Sequence, residues 1–451
     1  MDQNSDQTTM FPPTSSRRSF LRKAGAIGLA AGAAGALGAP LVADAATRAA
    51  HGADASSSLV LWTFVDTHAR WFKRRGAEYQ KTHPGFSLTV NQYPNPPYKQ
   101  KLLTVLETGV DAPDLCDVEQ GMFGSFLQGT VPFVPLEHRL ISGGYLNKLV
   151  PTREALYTWN GHIYGVEHAL TPVVLYYRAD YFKKYGIKPS DLATWDDFIA
   201  AGKTLKKHGV YMLATDYSYF ETLLRQRGSD IFNAKGALTA DSPLAVNTIE
   251  WLMGLQTTHD IAKPAASYSI FAPQAWAELQ KGTFATQIGA DWWAGFLTDN
   301  AATLAGKWRA MPLPVWANDT AKRPTSCNGG TGLCIPVTTS KQSLAWDFAQ
   351  FCLLTKTGTV EAFQMIDLFP PFIPSWSDTA LHTPNAYMGG QDLGSLFSEI
   401  GRKVPAEYQS PYRADFETFT AADSPILLQG KISPATWLKK EADKIRGEMK
   451  K

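Results

Sequence analysis

Short apolar runs alternate with stretches whose apolar residues recur every three or four positions, and this change of period repeats along the chain. Residues 58–64 (SLVLWTF) predict a strand. Asp66 stands where it could cap a following helix, which should reach about Thr82 and end at His83-Pro84-Gly85. FSLTVNQY alternates as a strand does. After the turn Pro94-Asn95-Pro96-Pro97, YKQKLLTVLETG has helical spacing and stops at Gly109. DLCDVEQG then predicts a buried strand whose end carries Asp117, Glu119 and Gln120. Strand, helix, strand, helix, strand within about 65 residues implies a parallel α/β sheet. Ligands of such sheets bind at the carboxyl ends of the strands, which puts Trp62, Thr63, Glu119 and Gln120 at the expected edge.

The same alternation continues. Residues 162–180 hold two strand-like runs broken at Thr171-Pro172, and Thr194-Trp195-Asp196-Asp197 opens a helix with a capping box. VYMLATDY (210–217) predicts a strand, 243–259 a helix, and 273–281 another. GTFATQIGADWW predicts a strand ending in Asp291, Trp292 and Trp293. TGLCIPV (331–337) follows the double glycine, a helix is expected over 341–356, and Ser433-Pro434 starts the last one. No solenoid period is visible.

The chain before residue 58 differs. SRRSFLRK (16–23) precedes an Ala/Gly/Leu run to Val42, and Ala43-Asp44-Ala45 closes it. A basic region, a mildly apolar region and a small-x-small site predict a signal peptide over 1–45, and the paired arginines predict the twin-arginine export route to the periplasm. Its glycines make it a poor membrane span, and no cysteine follows it to carry a lipid. Residues 46–57 have almost nothing to bury and are expected to be a disordered lead-in.

Composition narrows the function. The chain has 43 Lys+Arg against 41 Asp+Glu, which argues against a nucleic-acid partner. Aromatics are plentiful, with 13 Trp, 17 Tyr and 23 Phe, many beside Gly, Pro and Asp. The four cysteines (116, 327, 334, 352) have no zinc-site spacing, and no metal or other cofactor is expected. Cys327 and Cys334 share the loop SCNGGTGLC and could form a disulfide or stay free, whereas Cys116 and Cys352 sit in apolar contexts as buried thiols. There is no GxSxG elbow, HExxH or P-loop. His162 and His168 lie six apart without a third ligand and read as ordinary histidines.

Taken in order, several stretches resemble one family: the WTF strand with its helix and HPGF turn; KLLTVLETGVDAPDLCDVE; YTWNGHIYGVEHALTPVVLYYRADYFKKYGI; TWDDFIAAGKTLKK; KGTFATQIGADWW; and GGTGLCIPVTTSKQSLAWDFAQFCL. Together they resemble the extracellular solute-binding proteins of bacterial ABC importers, of the carbohydrate-binding type. Arg178 stands where that family usually has Asn, and Glu167-His168 where it often has Pro. The resemblance implies an α/β, two-lobe periplasmic-binding-protein fold whose hinge-linked lobes close on ligand. Lobe 1 is expected at 58–170 plus 286–340, and lobe 2 at 171–285 plus 341–451. It also implies a monomer that hands a mono- or oligosaccharide to an ABC permease in the inner membrane, and it implies no enzyme activity. A receptor for a non-sugar solute, or an exported carbohydrate-active enzyme using Asp291 and Glu119, are the alternatives.

A sugar presents an apolar C–H face and a rim of hydroxyls, so its pocket needs flat aromatic plates and planar hydrogen-bonding groups. Asp291 is the expected hydroxyl acceptor, with Trp292 or Trp293 as a stacking plate. Trp62, Glu119, Gln120, Tyr217, Gly330, Thr331 and Trp376 complete the expected ligand set. Tyr219, Gly329, Tyr98 and Arg413 are further candidates.

Overall fold

The computed structural model describes residues 57–95 and 97–451. The expected signal peptide and most of the lead-in lie outside the described residues. Ten strands matter here: β1 (Ser58–Thr63), β2 (Ser87–Gln92), β3 (Leu115–Glu119), β4 (Gly165–Glu167), β5 (Val174–Arg178), β6 (Leu213–Thr215), β7 (Ala262–Pro264), β8 (Thr286–Gly289), β9 (Trp308–Pro312) and β10 (Thr331–Cys334).

The first sheet has the order β2-β1-β3-β10-β4. β1 runs parallel to β2 and β3, while β10 is antiparallel to β3 and β4. Alternation along its strands feeds two cores. Leu59, Leu61, Leu115, Val166 and Leu333 face one, and Trp62, Cys116, Val118 and Cys334 face the other. A sheet covered on both sides explains why these strands read as continuous apolar runs. The first face is covered by helix Asp66–Thr82, whose Trp71, Phe72 and Tyr79 are buried in it. Val65 is the residue before that helix and offers no side-chain cap. Asp66 instead begins the helix and pairs with Arg70 one turn on at 3.1 Å, so the expected cap is not made.

The second sheet has the order β8-β5-β9, all antiparallel. Ala285 N–H bonds Tyr211 O and Thr286 N–H bonds Met212 O, each at 2.9 Å, joining β8 to the parallel pair β6-β7. A large core of its own surrounds this layer.

Three segments run side by side between the layers. Residues 168–173 leave β4 for β5, 326–330 lead back into β10, and 367–372 make the third passage. Leu170 N–H donates to Phe369 O (2.7 Å), Val173 N–H to Ser326 O (3.0 Å), and Thr171 Oγ1 to Gly329 O (3.2 Å). These are the hinge-type crossings of a two-lobe α/β protein.

The lobe boundaries differ from expectation in two places. β8 and β9 flank β5 and share its hydrogen bonds, so most of 286–312 belongs to the second layer. Helices Gln342–Leu353 and Lys356–Ile366 pack on the first lobe, where Phe348 meets Tyr79 at 5.5 Å and Glu361 pairs with Arg75 at 3.0 Å. Both differences arise because partner choice is made over more than 100 residues, beyond any local pattern. Among the described residues no helix is long and apolar enough to cross a membrane.

Candidate functional site

β3 ends at Glu119, and a short helix, Gln120–Phe123, begins at once. Glu119 caps it: Oε2 accepts from Gly121 N–H (2.8 Å) and Met122 N–H (3.2 Å). Gln120 N–H donates to Gly330 O at 3.0 Å, its own carbonyl accepts from Gln409 Nε2 at 3.2 Å, and its Oε1 is buried without a partner. Glu417 brings a second carboxylate here, so that Glu417 Oε2 and Glu119 Oε2 both crowd the place a Cβ on Gly121 would occupy. Only glycine fits between them.

Behind these two acids lies a buried ion network. Arg225 pairs with Glu221 (2.7 Å), Glu407 (3.1 Å) and Asp230 (3.2 Å). Arg413 pairs with Asp230 (2.7 Å), Glu221 (3.2 Å) and Glu407 (3.3 Å). Three carboxylates share two guanidiniums, which leaves Glu119 and Glu417 beside a negative neighbourhood. Burial, then the charge of Glu407, pushes the Glu119 carboxyl up to about 7 against its two backbone hydrogen bonds. Burial, then Glu119 and Glu221, raises Glu417 further. Tyr217, half-buried before helix Ser218–Gln226, faces the same acids; burial, then Glu221 and Glu417, raises its hydroxyl.

The segment 328–330 links this cluster to an aromatic surface. Trp292 Nε1 donates to Asn328 O at 3.1 Å. The Trp292 ring lies between Phe271 (6.2 Å, near parallel) and Phe296 (5.5 Å, edge-on), and those two phenylalanines are 47% and 42% exposed. Gly330 has φ 148°, and a Cβ there would strike Arg153, Glu167 and Leu156. Arg153 Nη2 holds Glu167 Oε2 (3.1 Å) and Gly329 O (3.0 Å), while Thr331 N–H donates to Glu167 Oε1 (2.9 Å). Thr331 is buried at the first position of β10.

Glu119, Gln120, Tyr217, Gly330 and Thr331 thus gather around one place, with Trp292 on its flank. The others do not join them. Asp291 is fully buried: Oδ1 accepts from Trp292 N–H (3.0 Å) and Oδ2 from Phe369 N–H (2.6 Å). Both oxygens bond backbone and the side chain is sealed from solvent, so it ties β8 to the third crossing and cannot reach a ligand hydroxyl. Burial pushes its carboxyl up to about 8 against those two bonds. Trp293 stacks on Trp276 at 5.1 Å in the core. Trp62 faces the second core of its sheet, edge-on to Tyr93 at 4.8 Å. Trp376 packs on the hinge, donating to Pro370 O at 2.9 Å under Arg402. Tyr219 and Tyr98 are core residues. All four cysteines are free. Cys334 pairs in register with Cys116, while Cys327 points its thiol at Glu407, 4.0 Å away, so of the two states left open for Cys327 and Cys334 the free one is found.

Glu221, Asp230, Glu407 and Glu417, and the exposed Phe271 and Phe296, escaped the sequence reading. The acids sit on helices or in an irregular segment, without a strand end to flag them. A cavity of about 450 Å³ lined by Thr152, Arg323, Arg402, Lys403 and Tyr408 meets the network through Tyr408, whose carbonyl accepts from Arg413 at 2.8 Å. Its lining has no carboxylate and none of the expected ligand residues.

Comparison with known proteins adds four findings. The family model for bacterial extracellular solute-binding proteins matches residues 66–358. An arabinooligosaccharide-binding protein of Halalkalibacterium halodurans is 26% identical over 408 residues, covering 88% of this chain and 90% of its own. A lactose-binding protein of Rhizobium radiobacter is 24% identical over 377 residues, covering 79% and 85%. Among solved structures, the ABC transporter associated binding protein of B. animalis subsp. lactis Bl-04, in complex with beta-1,6-galactobiose, superposes with a TM-score of 0.69 at 19% identity, covering 86% of this chain and 97% of that one.

Proposed function

Since the chain belongs to the bacterial extracellular solute-binding proteins, we propose that it is an exported receptor that traps an oligosaccharide between its lobes and delivers it to an ABC permease. The observation that carries this reading is the paired acids Glu119 and Glu417, which with Tyr217 lie across segment 328–330 from the exposed Trp292–Phe271–Phe296 surface. Carboxylates accept from two hydroxyls at once, and an aromatic face covers the C–H side of a sugar ring. Three side-by-side crossings let one lobe swing on the other and enclose the ligand, which strengthens each hydrogen bond by excluding water. The arabinooligosaccharide- and lactose-binding relatives support an oligosaccharide over a small ion or peptide. The arginine pair Arg17-Arg18 supports export through the twin-arginine route to the periplasm, and a monomer suffices for the task.

Titration calorimetry with arabino-oligosaccharides, lactose and maltodextrins tests the proposal. Binding of at least one series, lost in Glu119→Gln/Glu417→Gln, is the expected result. A folded protein silent to all three overturns it.

A further inference from the structure

Away from the acid pair, three residues from three elements converge inside the first lobe. His68 comes from the first turn of helix Asp66–Thr82, Asp117 from the middle of β3, and His168 from the residue after β4. They are 5%, 0% and 2% exposed. Their ligand-type atoms all lie within 4.8 Å of one another. His68 Nδ1 is 3.0 Å from Asp117 Oδ2, and His168 Nε2 is 3.2 Å from Asp117 Oδ1. The second approach is an ion-pair contact, and His168 Nδ1, on the other side of the ring, is buried without a hydrogen-bond partner.

Two imidazoles and a carboxylate, all buried and each offering one ligand atom to the same place, form a cluster that an ion would engage through one atom of each residue. We propose that His68, Asp117 and His168 form a binding site for one divalent transition-metal ion of the zinc class. Two imidazoles and a carboxylate suit zinc, whereas calcium takes six or more oxygens. Nitrogen and oxygen ligands at zinc distances stand about 3.4 Å apart in a tetrahedron, so an ion would draw together ligand atoms that here lie within 4.8 Å of one another. The outer shell is in place as well: Thr63 Oγ1 donates to Asp117 Oδ2 at 2.6 Å, and Tyr98 donates to the Asp117 carbonyl at 2.6 Å. Phe64, Trp71 and Phe72 wall the cluster. Because His168 opens the first crossing, a bound ion would fasten the covering helix, the central strand and the root of the hinge to one another.

The test uses protein stripped with a chelator and dialysed, then titrated with zinc chloride, and separately with cobalt chloride followed by visible absorption. The expected result is one equivalent of zinc, a raised melting temperature, and cobalt d–d bands that zinc abolishes. His68→Asn and His168→Gln, checked for folding by circular dichroism, should lose affinity by about 100-fold or more, beyond the loss from removing only an outer-shell partner. No uptake by the stripped wild-type protein overturns the proposal, as does full uptake by the folded variants. Should the variants fail to fold, X-ray absorption on the zinc-loaded wild type decides: two imidazoles in the first shell support the site, and one or none overturns it.

Discussion

Two acids stand at the carboxyl ends of buried strands, and the sequence marks them alike. Glu119 ends β3 and Asp291 follows β8. Asp291 gives both oxygens to backbone N–H groups, one of them on the far crossing segment, and is sealed from solvent. Glu119 gives only Oε2, to the turn that follows it, and keeps its carboxyl beside Glu417, Tyr217 and the arginine network. The first is a rivet in the fold and the second belongs to a polar surface. On the proposed reading, a strand-end acid is free to meet a ligand only when the backbone beyond it leaves part of the carboxylate uncommitted.

The strongest way to break this contrast is to remove each acid in turn. Asp291→Ala orphans two buried N–H groups and should cost about 3 kcal/mol or more of folding stability, read by chemical denaturation. Sugar affinity of the folded fraction should stay near wild type. Glu119→Gln and Glu417→Gln should do the reverse, weakening sugar binding by about 1.5–3 kcal/mol with much smaller effects on stability. An Asp291 variant that binds weakly yet denatures normally would merge the two classes.

The opening unit β1–β3 was legible because its elements are neighbours in sequence. Helix Asp66–Thr82 appears where its spacing puts it, without the expected cap, and the Thr194–Asp197 capping box forms as expected. The second sheet was less legible: β5 pairs with β8 and β9, more than 100 residues away, and nothing local names those partners. The site divides the same way. Glu119, Gln120 and Tyr217 lie at strand ends or helix starts, positions a period can locate. Glu407 and Glu417 arrive from the C-terminal region through tertiary packing alone; Trp62 was misplaced because period-2 alternation gives two faces without saying that both are covered, and Trp293 because the strand stops at Gly289 and this ring opens helix Trp293–Asn300.

A milder sharpening concerns the aromatic flank. Trp292→Ala removes the plate between Phe271 and Phe296 and should weaken sugar binding by about 1–2 kcal/mol. Trp293→Ala should leave affinity alone and cost stability, since that ring is packed in the core. Equal affinity losses in both would place the stacking face elsewhere.

The last test is a pH dependence. The folded protein holds the Asp291 proton to about 8 and the Glu119 proton to about 7, against ordinary values of 3.8 and 4.5. Between those limits the unfolded chain has released protons that the folded one keeps, so stability falls as pH rises from about 4.5 to 8. Melting temperature should therefore decline across that window. Asp291→Asn keeps one acceptor and no titration, so its curve should be flatter up to pH 8, while Glu119→Gln should flatten only the part below about 7. The two acids would then be separated by where their slopes end, and a wild-type melting temperature that climbs from pH 5 to 8 would show that both carboxyls ionise freely in the folded state.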